Sequence, residues 1–300
     1  SQIQNLAFES HKFQNQILGD LRPLNESGMA TSPNPIKLMN PLSEETSVMR
    51  RSLLPGLIKT MAHNFNCGNL SGRIFEVGGV INEGKSTESL FVQSSRVGVG
   101  AWGYERDLWT SQSTERTPVV FWVKRGIENL LGKKGLCGEW VASKSGTPSF
   151  LHRGQFAFLN IDGQNAGYLG TLHPSLCELF NIRVDAAVGE FSLEGHSQIK
   201  SQFEGISKFP CVERDLALVM AKRLPVAQIE KSIRKAAAPT LRAIAAYDLY
   251  EGEQLEKGLK SVTFRLVLQD TIATLTEQRI NQVIQNVLDS LKKEFSITLR

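Results

Sequence analysis

Asp248, Tyr250, Ser261 and Arg265 form the most chemically suggestive set in the chain. A flat phenol beside a carboxylate, a hydroxyl and a guanidinium can stack an unpaired base, bond its edge and hold its phosphate. Such a set needs a sheet to display it. Around residues 244–250, period two puts Asp248 and Tyr250 on one face and Tyr247 and Leu249 on the other. In residues 261–269, Val262, Phe264, Leu266 and Leu268 alternate with Ser261, Thr263, Arg265 and Gln269. One face of that strand is apolar and the other can hydrogen-bond. The four residues then share an open face. The same alternation also describes an ordinary solvated face of an antiparallel sheet, so the pattern alone leaves both readings standing.

The apolar face requires a cover, and two amphipathic helices are spelled nearby. Ile229, Ile233 and Ala237 recur after Pro225, which suits a first turn, and Pro239 stops the run. Ile280, Val283, Ile284, Val287, Leu288 and Leu291 make a longer stripe. Thr274-x-x-Glu277 reads as a capping box at its start. With a first strand at residues 215–220, the order is β-α-β-β-α-β, a split β-α-β or ferredoxin-like sandwich.

Residues 208–300 hold 15 Lys and Arg against 11 Asp and Glu, while residues 1–207 hold 19 of each. The net charge of +4 therefore belongs to the C-terminal unit, a bias that favours a nucleic-acid partner without establishing one. Three hundred residues at 41% hydrophobic content can bury two cores. No apolar run approaches the roughly 18 residues of a membrane span. Cys67, Cys137, Cys177 and Cys211 lie far apart with no C-x-x-C pair, which excludes a zinc knuckle and a disulfide framework and makes a reducing cytoplasm the default. The chain opens on Ser1 without a signal or targeting segment and reads as a piece of a longer polypeptide.

The preceding part mixes strands and helices. Residues 53–65 place Leu57, Met61 and Phe65 in helical register with Pro55 in the first turn. Residues 73–81, with paired glycines at 78 and 79, read as a strand ending in a turn, and residues 119–131 as a helix. Residues 155–169 read as a hairpin turning at Asp162-Gly163. The mixture implies an α+β domain, and residues 195–205, rich in Ser, Gln and Lys, imply a linker. Gly98-x-Gly100-x-x-Gly103 matches a dinucleotide fingerprint, but the polar Tyr104-Glu105-Arg106-Asp107 follows where an amphipathic helix is required, so no pyrophosphate site is assigned. The five histidines have no metal-ligand spacing, and His173 before Pro174 suits a helix cap. Neither a metal site nor a catalytic residue is assigned.

Longer strings carry a resemblance. Asn40-Pro41-Leu42-Ser43, Ser47-Val48-Met49-Arg50 and Ser52-Leu53-Leu54-Pro55-Gly56-Leu57 are similar to segments of the β subunit of bacterial phenylalanyl-tRNA synthetase. So are Phe75-Glu76-Val77-Gly78, Gly167-Tyr168-Leu169-Gly170, Leu172-His173-Pro174, Phe209-Pro210 and Arg214-Asp215-Leu216-Ala217. The resemblance implies that residues 1–200 form an antiparallel sheet domain built like a class II synthetase catalytic core but inactive, which pairs with a catalytic α subunit in an α2β2 heterotetramer. It implies that residues 207–300 form a ferredoxin-like βαββαβ domain binding the anticodon of tRNA(Phe). Its base-reading aspartate, stacking tyrosine and supporting serine fall on Asp248, Tyr250 and Ser261. Arg265 and Lys260 are expected phosphate contacts, from charge and neighbourhood. ATP and magnesium belong to the whole ligase, and no cofactor is expected in this chain, where Arg73 and Glu76 only echo a phosphate clamp. The family's editing domain and magnesium-linked segment have no counterpart in these residues. An enzyme in its own right, or a freestanding RNA-binding protein, are the competing readings.

Overall fold

The computed structural model describes residues 2–3, 5–18, 35–86, 89–104, 117–142, 146–196, 207–252 and 255–300. The expected linker and the polar stretch after Tyr104 lie largely outside them. The chain forms two compact units, Ser1–Ser201 and Gln202–Arg300.

In the first unit the order is β1 (Phe8–Glu9), α1 (His11–Leu18), β2 (Val48–Met49), α2 (Leu54–Asn66), β3 (Gly72–Ser86), β4 (Ser89–Trp102), α3 (Val119–Lys133), β5 (Gly138–Ala142), β6 (Leu151–Ile161), β7 (Gln164–Leu172), α4 (Pro174–Leu179) and β8 (Ala186–Phe191). Six strands make one antiparallel sheet in the order β3-β4-β8-β7-β6-β5. Helix α2 covers one face with Leu54, Leu57, Ile58 and Met61, all fully buried against Ile74, Trp102 and Val188. Helix α3 covers the other with Val123, Ile127 and Leu131 against Ala101, Leu169 and Phe191. Strand β8 lies between both layers and is buried at every residue, including the polar Glu190.

The glycines at 98 and 100 sit in mid-strand β4, not in a phosphate-binding turn. A Cβ at Gly98 would stand 2.5 Å from Leu57 Cδ1, and one at Gly100 2.6 Å from Met61 Sδ, so these glycines let α2 settle onto the sheet. Strand β3 runs past Ile81 to Ser86 instead of turning there, because it pairs with β4 in register through Glu83. The space above Gly78 is filled by the Arg50 guanidinium. Asp162 and Gly163 both have positive φ, 52° and 76°, the tight-turn geometry that joins β6 to β7. The His173 side chain accepts from Ser175 N at 3.3 Å and caps α4.

The second unit runs β9 (Val212–Ala221), α5 (Val226–Ala236), β10 (Leu241–Tyr250), β11 (Leu259–Leu268), α6 (Glu277–Phe295) and β12 (Thr298–Leu299). Its antiparallel sheet has the order β10-β11-β9-β12. Both helices pack on one face, where Ile229, Ile233, Val287 and Leu291 meet Leu218, Phe264 and Leu266. Fully burying each such side chain contributes about 1.5–3 kcal/mol, which holds the layers together. Helix α6 begins two residues later than the Thr274 capping box requires. Thr276 is the cap, accepting from Arg279 N at 3.3 Å, and Glu277 turns instead to Arg214 at 2.9 Å. Among the described residues of this unit, no helix packs on the other face of the sheet.

Candidate nucleic-acid interface

The register of the three long strands fixes what the open face displays. Leu216, Leu218 and Met220 of β9 are buried under the helices, so Asp215, Ala217 and Val219 face away from them. Their partners on β11 are Arg265, Thr263 and Ser261. Opposite these on β10 stand Ala245, Asp248 and Tyr250. Asp248, Tyr250, Ser261 and Arg265 thus lie on one face, Asp248 beside Thr263 and Tyr250 beside Ser261.

Tyr247 departs from the alternation. Ala246 pairs with Phe264 and Asp248 with Thr263, leaving Tyr247 as the extra residue of a β-bulge. Simple period two sends it to the helix side; the bulge brings it to the open face. Its hydroxyl donates to Asp215 Oδ2 at 2.8 Å, and the Arg265 guanidinium lies over its ring at 4.8 Å from the centroid. Leu249 does take the helix side, as the partner of Val262, but at this edge strand it stays 60% exposed.

Tyr250 is held by residues distant in sequence. Arg300 donates its backbone N–H to Ala217 O at 2.9 Å, next to β9, and its guanidinium lies 4.2 Å from the Tyr250 ring centroid. Ser261, the partner of Tyr250 on β11, is only 2% exposed. The Tyr250 hydroxyl occupies the space where a Cβ at residue 252 would stand, so only Gly252 leaves room for this ring position. Neither Arg300 nor Gly252 is signalled by the strand pattern, since one lies 50 residues on and the other in a turn.

The two cations expected on phosphate are already engaged. Arg265 donates from Nε to Asp215 Oδ1 at 2.9 Å and from Nη2 to Asp215 Oδ2 at 3.0 Å, with Glu213 at 3.6 Å. That fork and the Tyr247 hydroxyl hold the Asp215 carboxyl below the usual carboxylate range. Lys260, the partner of buried Met220, lies on the helix side at the end of β11, out of phase with the open face, where its Nζ donates to Leu224 O at 2.9 Å and its remaining N–H groups are left for a further acceptor. The face is therefore a charge-ordered surface on which Tyr247 and Asp248 stand exposed beside the Arg265–Asp215 pair, while Tyr250 is half-buried.

The first unit uses the same residue types internally. Arg50 Nη1 bonds Glu76 Oε1 at 2.6 Å, Arg50 Nε bonds Gly79 O, and Asn5 bonds the second Glu76 oxygen at 2.7 Å. Glu190 accepts from Leu53 N at 2.6 Å and Ser52 Oγ at 3.0 Å, capping the start of α2 from inside the sheet, and burial raises its pKa. Arg73 lies over Trp122 at 4.4 Å. Glu76 is 1% exposed and fully bonded, so these side chains do not fit a nucleotide's phosphates or magnesium. Among the described residues no group of three or more His, Cys, Asp or Glu is placed to hold a metal, and no helix is long and apolar enough to cross a membrane.

An α+β chain with a helix-backed four-stranded sheet and an aromatic, charged open face has close counterparts among known proteins. Residues 207–300 match the family model of the ferredoxin-fold anticodon binding domain. Residues 1–193 match that of the phenylalanyl tRNA synthetase beta chain CLM domain, and the chain belongs to the phenylalanyl-tRNA synthetase β-chain family. The phenylalanine–tRNA ligase beta subunit of Bdellovibrio bacteriovorus is 43% identical across 100% of this chain and 37% of that protein. The beta subunits of Thiobacillus denitrificans and Bacillus subtilis are each 33% identical, over 93% and 87% of this chain and 34% and 32% of theirs. The chain thus spans about a third of the length of these relatives.

Proposed function

We propose that this chain is the assembling and tRNA-reading portion of a phenylalanine–tRNA ligase β subunit, acting in the cytoplasm within an α2β2 enzyme that uses ATP and magnesium on its α subunit. The observation that carries the reading is the open face of the second unit, where Asp248 and Tyr250 stand in register with Thr263 and Ser261 and no helix among the described residues of that unit covers them. The Asp248 carboxylate accepts hydrogen bonds from a guanine edge, Tyr250 stacks an unpaired base, and Ser261 supports them once Arg300 shifts. Arg265 orders the face electrostatically, and Lys260 adds a phosphate contact.

The first unit, residues 1–200, is in this reading a class II-like core that has given up catalysis for assembly. Support comes from its carboxylates and Arg50, which are consumed by buried contacts with one another and with backbone. The apolar face of helix α2 is buried in the core, and its exposed residues Lys59, His63 and Asn66 are polar. Exposed apolar residues gather instead on the β3–β4 hairpin, where Phe75, Val77 and Phe91 are 40%, 52% and 61% exposed. Such a patch suits the α subunit.

The decisive experiment is aminoacylation by the assembled ligase. Stacking is worth about 1–3 kcal/mol by alanine substitution, so Tyr250→Ala should raise KM for tRNA about tenfold while ATP–pyrophosphate exchange is unchanged. Asp248→Ala should blur discrimination at one anticodon base. Lys260→Ala should weaken all tRNAs alike and lower the salt slope by about 0.7–0.9. Unchanged charging kinetics in the Tyr250 and Asp248 variants would sink the reading.

A further inference from the structure

Tyr247 is held in a way that coverage of a salt bridge does not require. Its backbone is on β10 and its hydroxyl bonds Asp215 on β9, with β11 between them. Neighbouring strands lie about 4.8 Å apart, so the side chain makes that reach only by lying across β11 along the sheet surface. The Arg265 guanidinium backs the ring at 4.8 Å, yet Tyr247 remains 54% exposed, which leaves the opposite ring face to solvent. Both ends of the side chain are fixed before any ligand arrives, and little rotamer entropy remains to be lost on stacking. Its bond to Asp215 also raises the phenol pKa, so the anchoring proton stays in place.

We propose that Tyr247 is a second base-stacking platform, taking another unpaired nucleotide of the RNA strand engaged by Asp248 and Tyr250. This rests on the anticodon-reading function proposed above and adds a subsite to it. Tyr247 and Tyr250 are three residues apart on a strand rising about 3.3 Å per residue, so their backbones stand on the order of 10 Å apart, with Asp248 between them. Two platforms flanking one carboxylate order consecutive splayed bases, with Asp248 reading an edge and each tyrosine accepting a π-face. The bulge gives this arrangement its cause, because without the extra residue Tyr247 points to the helix side. The Arg265 charge behind the ring further favours an electron-rich stack and the adjoining phosphate.

The test uses the assembled ligase and phenylalanine tRNA carrying 2-aminopurine singly at each unpaired anticodon-loop position. The wild type should quench two positions by stacking. Tyr247→Leu should lose quenching at one of them and weaken binding about tenfold, while Tyr250→Leu loses it at the other. Tyr247→Phe keeps the ring without the Asp215 bond, so it should retain both quenched positions and stands in if the leucine variant misfolds. Unchanged affinity in Tyr247→Leu, or loss of the same position in both leucine variants, would overturn the second platform while leaving the anticodon reading intact. If Tyr250→Leu and Asp248→Ala are also silent, the anticodon reading falls with it.

Discussion

Arg50 in the first unit and Arg265 in the second each hold a carboxylate, at 2.6 and 2.9 Å, but in opposite surroundings. Arg50 and Glu76 are 8% and 1% exposed, whereas Arg265 and Asp215 are 45% and 40% exposed. In the interior every remaining lone pair and N–H must find a partner, and Gly79 O and Asn5 supply them. The result fixes how β3 meets the chain around Arg50 and leaves nothing to offer a ligand. At the surface, water satisfies what the fork does not, so the pair is free to position Tyr247 and still face solution. One residue pair thus serves packing or recognition according to its depth. The contrast is the one expected from the proposed division between an assembling first unit and an RNA-reading second one.

The sharpest way to break that contrast is to remove one buried partner. Glu76→Ala leaves Arg50 uncompensated in the core and should destabilise the first unit by about 3–5 kcal/mol. All four tryptophans precede residue 202, so their fluorescence during urea unfolding reports on that unit alone. A midpoint within error of the wild type would mean that the buried pair does not organise the fold.

Glu9 sharpens the comparison further. Buried beside Gln14, its carboxyl has a pKa pushed up to about 7 from 4.5, chiefly by desolvation. Between those values the folded chain keeps a proton that the unfolded chain releases, so this group's contribution falls as pH rises from about 4.5 to about 7 and is level above. Glu9→Gln removes that dependence. Relative to wild type it should gain stability progressively across this window, reaching on the order of 3 kcal/mol by pH 8. Urea titrations at pH 5 and pH 8 read the difference, and a pH-independent effect would contradict it.

The smallest expected effect is on the open face. Gly252→Ala places a methyl where the Tyr250 hydroxyl sits, and the half-buried ring can yield by rotating away. Folding should be little changed, while tRNA affinity drops a few-fold, below the roughly 1–3 kcal/mol that loss of a stacked ring costs. Equal affinity in filter binding would show that the ring position over residue 252 is irrelevant to RNA.

Local physics made much of this legible. Alternation in residues 261–269, the apolar stripes after Pro225 and Thr276, the Asp162-Gly163 turn and the His173 cap each depend on neighbours within a few positions, and the chain states them directly. Asp248, Tyr250, Ser261 and Arg265 were readable as one face for the same reason, because side-chain direction in a strand repeats every two residues. The β-bulge was not readable. Inserting one unpaired residue costs the chain little locally and is decided by how β10 and β11 align, so Tyr247 changed face without any change in composition. Nor could alternation reveal that Arg300 reaches Tyr250, that Ser261 is buried, or that Asp215 claims Arg265. Those contacts join residues about 50 positions apart and exist only after the sheet has formed. The sequence alone determined which side chains could stack and bond a base; the tertiary structure decided which are exposed, because burial and partner choice depend on strand order.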